Sequence, residues 1–234
     1  MKVEGDWERD GYVVVRGAYG TEAVAALLEV ADHCWNQFQV APHGLQAPRA
    51  EGHDASDAHA MRHLNHPGYL APGSAGFRVL MEAVADPNVL GLLRGMFGSE
   101  PLFRSTSLFV QPRRTSVDGS WHRDSQFLIP DEEEERRALH DMAANGLLHA
   151  RGCQMQVALV PSSDVELVKG SHLRWDSPAE YHVRRADGGG NSTELMPGST
   201  QIALEPGDCV CFNSWGYHRG RYHVDKPRRT LMFT

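Results

Sequence analysis

With 234 residues, 41% of them hydrophobic and 23% charged, the chain can bury a sizeable core, and no apolar run reaches the length of a membrane span. The formal net charge of −7 argues against nucleic acid as a partner, and four cysteines (Cys34, Cys153, Cys209 and Cys211) are too few for a disulfide framework. The start, MKVEGDWERDGY, lacks the apolar stretch of a secretory leader, so reduced thiols in a cytoplasmic setting are expected, with no membrane partner.

Residues 7–20, WERDGYVVVRGAYG, hold a β-branched run bounded by glycines and predict an opening strand. Thr21 is placed to cap EAVAALLEVADHCWNQF, in which Val24, Leu27, Leu28, Ala31 and Trp35 recur at helical spacing. From about Val40 to Gly76 the composition turns to His, Pro, Gly, Ala and Asp without periodicity, which predicts a long loop serving as a lid. His43, His53, His59, His63 and His66 lie there and read as solvated, because a metal site needs converging ligands. Residues 77–98 carry a second helical pattern interrupted at Asp86-Pro87, which predicts two short helices with Pro87 in the first turn of the second.

After Pro101 the pattern changes to strands: LFRSTSLFVQP (102–112), SWHRDSQFLI (120–129), GCQMQVALVP (152–161), ELVKGSHLRW (166–175) with a turn at Lys169-Gly170, STQIALEPGDCVCFN and RRTLMFT. Between the second and third, PDEEEERRALHDMAANGLLHA predicts a helix whose Glu132 to Glu135 suit the positive end of the dipole and form a solvated face. Residues 176–200 predict a polar loop. Its Gly188-Gly189-Gly190 is a flexible link and no phosphate cradle, since no strand-to-helix context surrounds it. Helices first and many short strands after predict one α+β domain over 1–234, mainly β, with a mainly helical part (1–100) and an antiparallel sandwich or barrel (101–234).

His122 and Asp124 stand at i and i+2 of an expected strand, so both point to one face and can reach one metal ion from a rigid element. His218 follows an apolar strand and falls in an expected turn, from which its side chain can project into a cavity. Two histidines and one carboxylate on one face of an octahedron form the facial triad of non-haem Fe(II) oxygenases. HRD is also the catalytic-loop signature of protein kinases, but Ile129 stands where that loop needs asparagine, and no Gly-rich loop, strand lysine or DFG is present. A lone HxD has little specificity; the downstream G-D-x-x-x-F, the histidine and R-x-T, in that order, give it weight. Cys209 and Cys211 share a strand face and read as core thiols, and His172 reads as a turn contact.

Taken together, DGYVVVRGA before a helix, the HxD, VALVP before KGSHLRW, and GDCVCFNSWGYHRG before KPRRTL make the chain resemble the phytanoyl-CoA dioxygenase family of Fe(II)- and 2-oxoglutarate-dependent oxygenases. The pieces span most of the chain in the family's order. The chain departs at Lys169, where the family usually has proline, and in a shorter segment, PSSDVE, before it. The resemblance implies a double-stranded β-helix (jelly roll, cupin-like) with helices outside and Fe(II) inside, held by His122, Asp124 and His218. It also implies 2-oxoglutarate as cosubstrate, with O2, and with ascorbate as an aid.

The distal carboxylate of 2-oxoglutarate needs a fixed guanidinium, since arginine offers a planar fork that lysine cannot. Arg228 is the expected anchor, because Thr230 follows it on the same strand face, whereas Arg229 is followed by Leu231 and is expected to point away. Gln111 and Gln156 are further candidates to line the cosubstrate site, and Trp121 or Trp215 to wall the substrate cavity. The implied reaction is hydroxylation of a small molecule with release of succinate and CO2. Two alternatives stand beside it: a jelly roll that binds metal or ligand without turnover, and a halogenase, which Asp124 disfavours by occupying the position halide would take. Acyl-CoA thioesters, free acids and natural-product intermediates are all open as substrates.

Overall fold

The structure is a computed structural model that describes residues 1–40, 59–150, 152–185 and 193–234. The chain opens with strand β1 (Lys2–Asp6), a short helix α1 (Trp7–Asp10) and strand β2 (Tyr12–Arg16), so the strand expected over 7–20 is shorter and pairs with one before it. Asp6 caps α1 by accepting from the Arg9 N–H, and Gly11 ends it at a φ of 77°, where the His172 ring fills the space a Cβ would need. Helices α2 (Thr21–Val40), α3 (Ala75–Val84) and α4 (Pro87–Phe97) follow, with strand β3 (Ala60–Arg62) between α2 and α3. Ser74 caps α3, and Asp86 caps α4 with Pro87 in the first turn, where a missing N–H costs nothing.

The remaining elements are strands β4 (Thr106–Val110) and β5 (Val117–Asp118), helices α5 (Ser125–Leu128) and α6 (Glu132–Ala144), strands β6 (Cys153–Ala158) and β7 (Ser162–Val168), helix α7 (Pro178–Arg184), and strands β8 (Ser199–Leu204), β9 (Cys209–Asn213), β10 (His218–Tyr222) and β11 (Arg229–Phe233). Among the described residues the strands form two antiparallel sheets, a long one in the order β1-β2-β9-β6-β11-β4-β3 and a short one in the order β5-β10-β7-β8. This is the expected mainly-β jelly roll with helices outside.

Alternation along each strand of the long sheet sorts residues between two cores. Outward-facing Leu108, Val157, Cys209, Cys211 and Leu231 pack with Leu27, Ala31, Leu80 and Val89 of the helices. Inward-facing Val14, Ala158, Val210 and Phe212 meet Val165, Leu167, Ile202 and Leu204 of the short sheet. Each fully buried leucine, valine, isoleucine or phenylalanine among them contributes about 1.5–3 kcal/mol. All four cysteines are free thiols, and Cys209 and Cys211 are buried core residues as expected. No described helix is long and apolar enough to cross a membrane.

Four expectations are corrected. Residues 63–74 are turns, as expected, but 60–62 form β3 at the edge of the long sheet and 75–76 open α3, and Met61, Leu64, Tyr69 and Leu70 enter the helical core, so this stretch is anchored and is no free lid; residues 41–58 of the expected lid lie outside the described residues. Residues 120–129 are no strand, since only His122 makes a bridge before the chain turns into α5. Residues 176–200 contain α7, which starts from a capping box of Ser177 and Glu180. Finally, Glu135 is not solvated: it is 1% exposed and accepts from Ser125 and Arg184.

Candidate metal centre

His122 and His218 are cross-strand partners in an isolated antiparallel bridge, with N–H···O distances of 3.2 and 3.1 Å in the two directions. Opposed residues of an antiparallel pair present their side chains on one face, and the two imidazole centroids lie 4.3 Å apart. Asp124 arrives differently. It has helical backbone angles (φ −64°, ψ −25°) at the start of α5, and its N–H donates to the Ser214 carbonyl at 2.9 Å. This turn swings Oδ1 to 3.6 Å from His122 Nε2 and 3.5 Å from His218 Nε2. His218 begins β10 and does not sit in a turn.

The ring nitrogens are already oriented. Nδ1 of His122 donates to the Ser120 carbonyl at 2.8 Å and Nδ1 of His218 to the Gly216 carbonyl at 3.0 Å, which leaves Nε2 as the atom each ring turns toward the common point. Burial, with His218 beside it, brings the His122 imidazole down to about 4 and keeps it neutral. Burial alone would raise the Asp124 carboxyl; the facing His218, then His122 and Gln154, outweigh it and hold it below the ordinary carboxylate range. Two neutral imidazoles and one ionised carboxylate are what a divalent ion requires of its ligands. Among the described residues, His122, Asp124 and His218 form a group of ligating atoms that all lie within 4.8 Å of one another. Adjacent corners of an octahedron with bonds of about 2.1 Å are about 3 Å apart, so small side-chain shifts close the set on an ion.

Arg228 lies inside the barrel and Arg229 outside. Arg228 is 1% exposed, its Nη1 donates to the Arg221 carbonyl at 2.7 Å and its Nε to Thr230 Oγ1 at 3.4 Å. The guanidinium packs against the rings of Tyr222 and Phe109, at 4.4 and 5.2 Å. Nη2 is buried and makes no hydrogen bond within the protein. Tyr222, whose ring packs on this fork, shares the inner face of β10 with His218 by alternation, so the fork and the triad lie toward the same face of that strand. Arg229 instead donates to Asp32 of α2 at 2.6 Å.

A sequence model for phytanoyl-CoA dioxygenase matches residues 7–230. The chain belongs to the phytanoyl-CoA dioxygenase family. Fe(II) and 2-oxoglutarate are the cofactor and cosubstrate of that family, and the donor set described above fits the iron. No curated protein sequence matches the chain at a significant level. Among solved structures, AviO1 from Streptomyces viridochromogenes Tue57 is 16% identical, with 97% of this chain and 90% of that chain covered and a TM-score of 0.61. EctD from S. alaskensis with bound Fe is 17% identical, covering 97% and 73%, with a TM-score of 0.64. The epimerase SnoN in complex with Fe3+, alpha ketoglutarate and nogalamycin RO is 18% identical, covering 97% and 79%, with a TM-score of 0.61. At these identities the likeness is one of fold.

Against the phytanoyl-CoA dioxygenase pattern, the remaining candidates divide. Gln156 is buried on the inner face with Oε1 unbonded, while Gln111 accepts from the Arg228 N–H and from Arg229, which makes it a brace for the start of β11. Trp121 is fully buried away from the triad, with Nε1 on the Glu194 carbonyl and Arg219 over its ring, and Trp215 is half-buried and offers its carbonyl to Arg123. His172 makes the expected turn contact, to the Glu8 carbonyl at 3.1 Å. The lysine at the family's proline position, Lys169, lies 3.1 Å from the buried Asp10 carboxylate, outside the barrel.

Two residues escaped the sequence reading. Gln154 Nε2 donates to Asp124 Oδ2, and its only signal was that it shares a strand face with Gln156. Arg123, 0% exposed between the two ligands of HRD, donates to the carbonyls of Ser171, Arg174 and Trp215 and to Asp176, and so ties the His122 segment to the loop that leads to His218. Asp176 also pairs with Arg184, which pairs with Glu135.

Proposed function

We propose that this family member is an oxygenase that hydroxylates a small organic substrate while 2-oxoglutarate is converted to succinate and CO2. The observation that carries the reading is a His122/Asp124/His218 group on the same inner side of the barrel as a buried guanidinium, Arg228, that keeps one nitrogen unbonded. Fe(II) bound to such a face supplies O2 activation coupled to loss of CO2 from the 2-oxo acid, one oxygen atom going to the substrate and one to succinate.

The residues divide the work. His122, Asp124 and His218 would hold the iron, a three-residue ligand set that would leave it free to take the 2-oxo acid and O2. Arg228 and Thr230 receive the distal carboxylate and so orient the chelating end toward the triad. Phe109 and Tyr222 cover the guanidinium and keep water from it, which strengthens the pairing. Retention of Asp124 favours hydroxylation over halogenation, because no position is opened for halide in place of the carboxylate.

The test is succinate formation from 2-oxoglutarate with Fe(II), O2 and ascorbate across a small-molecule screen, with His122→Ala, Asp124→Ala and His218→Ala as controls. A product heavier by one oxygen atom drawn from O2, absent in all three variants, is expected. Stoichiometric metal binding without succinate above the level of His218→Ala on any substrate would instead establish a binding protein.

A further inference from the structure

Arg228, whose Nη2 makes no hydrogen bond within the protein, has a carboxylate beside its Nε. Asp164 is 5% exposed, and its Oδ2 lies 3.6 Å from Arg228 Nε. Ser162 Oγ donates to that same oxygen at 2.8 Å. Asp164 belongs to the PSSDVE segment in which the chain departs from the family pattern; here the segment is the start of β7, with a register shift between Ser162 and Val165 that lets Asp164 reach the barrel interior.

Physical chemistry gives the pairing a direction. A guanidinium this deeply buried needs a counter-charge, and Asp164 supplies one before any ligand arrives. The distal carboxylate of a dicarboxylate 2-oxo acid brings a second negative charge to the same fork, only a few ångströms from the first. Two carboxylates sharing one cation repel, and the low-dielectric surroundings sharpen the cost. Asp164 therefore acts at the fork on the tail of the cosubstrate and leaves its chelating head untouched.

We propose that Asp164 is the resident counter-ion of Arg228 and that its competition with the distal carboxylate sets the affinity and selectivity of the site for dicarboxylate 2-oxo acids. This rests on the assignment of Arg228 as cosubstrate anchor made above. Asp164 is a positioning residue here, since it acts through Arg228.

Calorimetry with Mn(II)-loaded protein tests it, using 2-oxoglutarate and 2-oxopentanoate, which has the same chelating head and no distal carboxylate. Asp164→Asn removes the competing charge, and 2-oxoglutarate should bind about tenfold more tightly while 2-oxopentanoate stays within about twofold. The ligand-free variant should melt below wild type, having lost a counter-ion, and should gain more in Tm from 2-oxoglutarate. Ser162→Ala should act in the opposite sense, because the freed Oδ2 holds Arg228 more firmly and 2-oxoglutarate then binds more weakly. Weaker 2-oxoglutarate binding in Asp164→Asn, or an equal change for both ligands, would overturn the proposal. If Asp164→Asn does not fold, Ser162→Ala decides alone, and an unchanged ratio of the two affinities overturns it. Arg228→Ala keeps the two levels apart: wild-type 2-oxoglutarate binding in that variant removes the anchor assignment itself, whatever Asp164 does.

Discussion

Gln154 Nε2 donates to Oδ2 of Asp124 at 2.5 Å, from strand β6 to the turn before α5. The bond engages the carboxylate oxygen that does not face the histidines and leaves Oδ1 for a metal ion. Gln154→Leu keeps the approximate volume and removes the donor, so Asp124 is free to swing. Metal affinity should fall by about 10–100-fold, the usual effect of losing a ligand's hydrogen-bond partner, with the melting temperature nearly unchanged. An anaerobic Fe(II) or Mn(II) titration reads this directly, and a midpoint equal to wild type would show that the Ser214 contact alone holds Asp124.

The two adjacent arginines should behave in opposite ways. Arg228→Ala removes a buried charged fork and should weaken 2-oxoglutarate by roughly 30-fold to several thousand-fold, equivalent to about 2–5 kcal/mol. Arg229→Ala loses the partly exposed pair with Asp32, worth about 0–1 kcal/mol of stability, together with its bonds to Gln111 Oε1 and the Arg228 carbonyl; all three lie outside the barrel, so the variant should keep the cosubstrate requirement of wild type. Impaired saturation by 2-oxoglutarate in the Arg229 variant, with the Arg228 variant normal, would reverse their roles.

Stability should fall as the pH drops from about 6.5 toward 4, in part through His172. Burial pulls the His172 imidazole down to about 4 against its ordinary 6.5; the Glu8 carbonyl resists this and Arg123 adds to it. Between about pH 6.5 and pH 4 the unfolded chain therefore binds a proton that the folded chain does not, and acid favours unfolding by up to roughly 3 kcal/mol from this residue. His172→Gln should be less stable at pH 7 yet lose less stability on going to pH 5. Parallel urea-midpoint curves for the two proteins over that interval would contradict the assignment.

Glu135 and Arg184 form a buried pair behind Asp124, 2.8 Å apart and each almost fully enclosed. Removing one member leaves a buried charge, so Glu135→Ala should cost about 3–5 kcal/mol in urea unfolding. Because Ser125, next to Asp124, donates to Glu135, metal affinity should fall as well. A cost below about 1 kcal/mol would mean that Asp176 satisfies Arg184 alone.

Much of this protein is written locally. The helices announce themselves by spacing, Pro87 marks the second of a pair, and strand parity alone separates Arg228 with Thr230 from Arg229 with Leu231. The order of HxD, G-D-x-x-x-F, histidine and R-x-T also determines which residues are candidates for iron. The route by which they meet was not legible: Asp124 approaches through a turn into α5, although the sequence suggests a strand pair with His122. The unmarked partners lie further still from local pattern. Gln154, Asp164, Arg123 and Glu135 are polar residues whose sequence surroundings resemble any strand, turn or acidic helix. Their roles depend on which segment faces which across separations of 10 to 92 residues, as for Ser125 with Glu135 and Arg123 with Trp215. Alternation along a strand says which residues share a face; only the packing of two sheets and their helices decides what that face meets, because register and burial are set by the sum of many distant contacts.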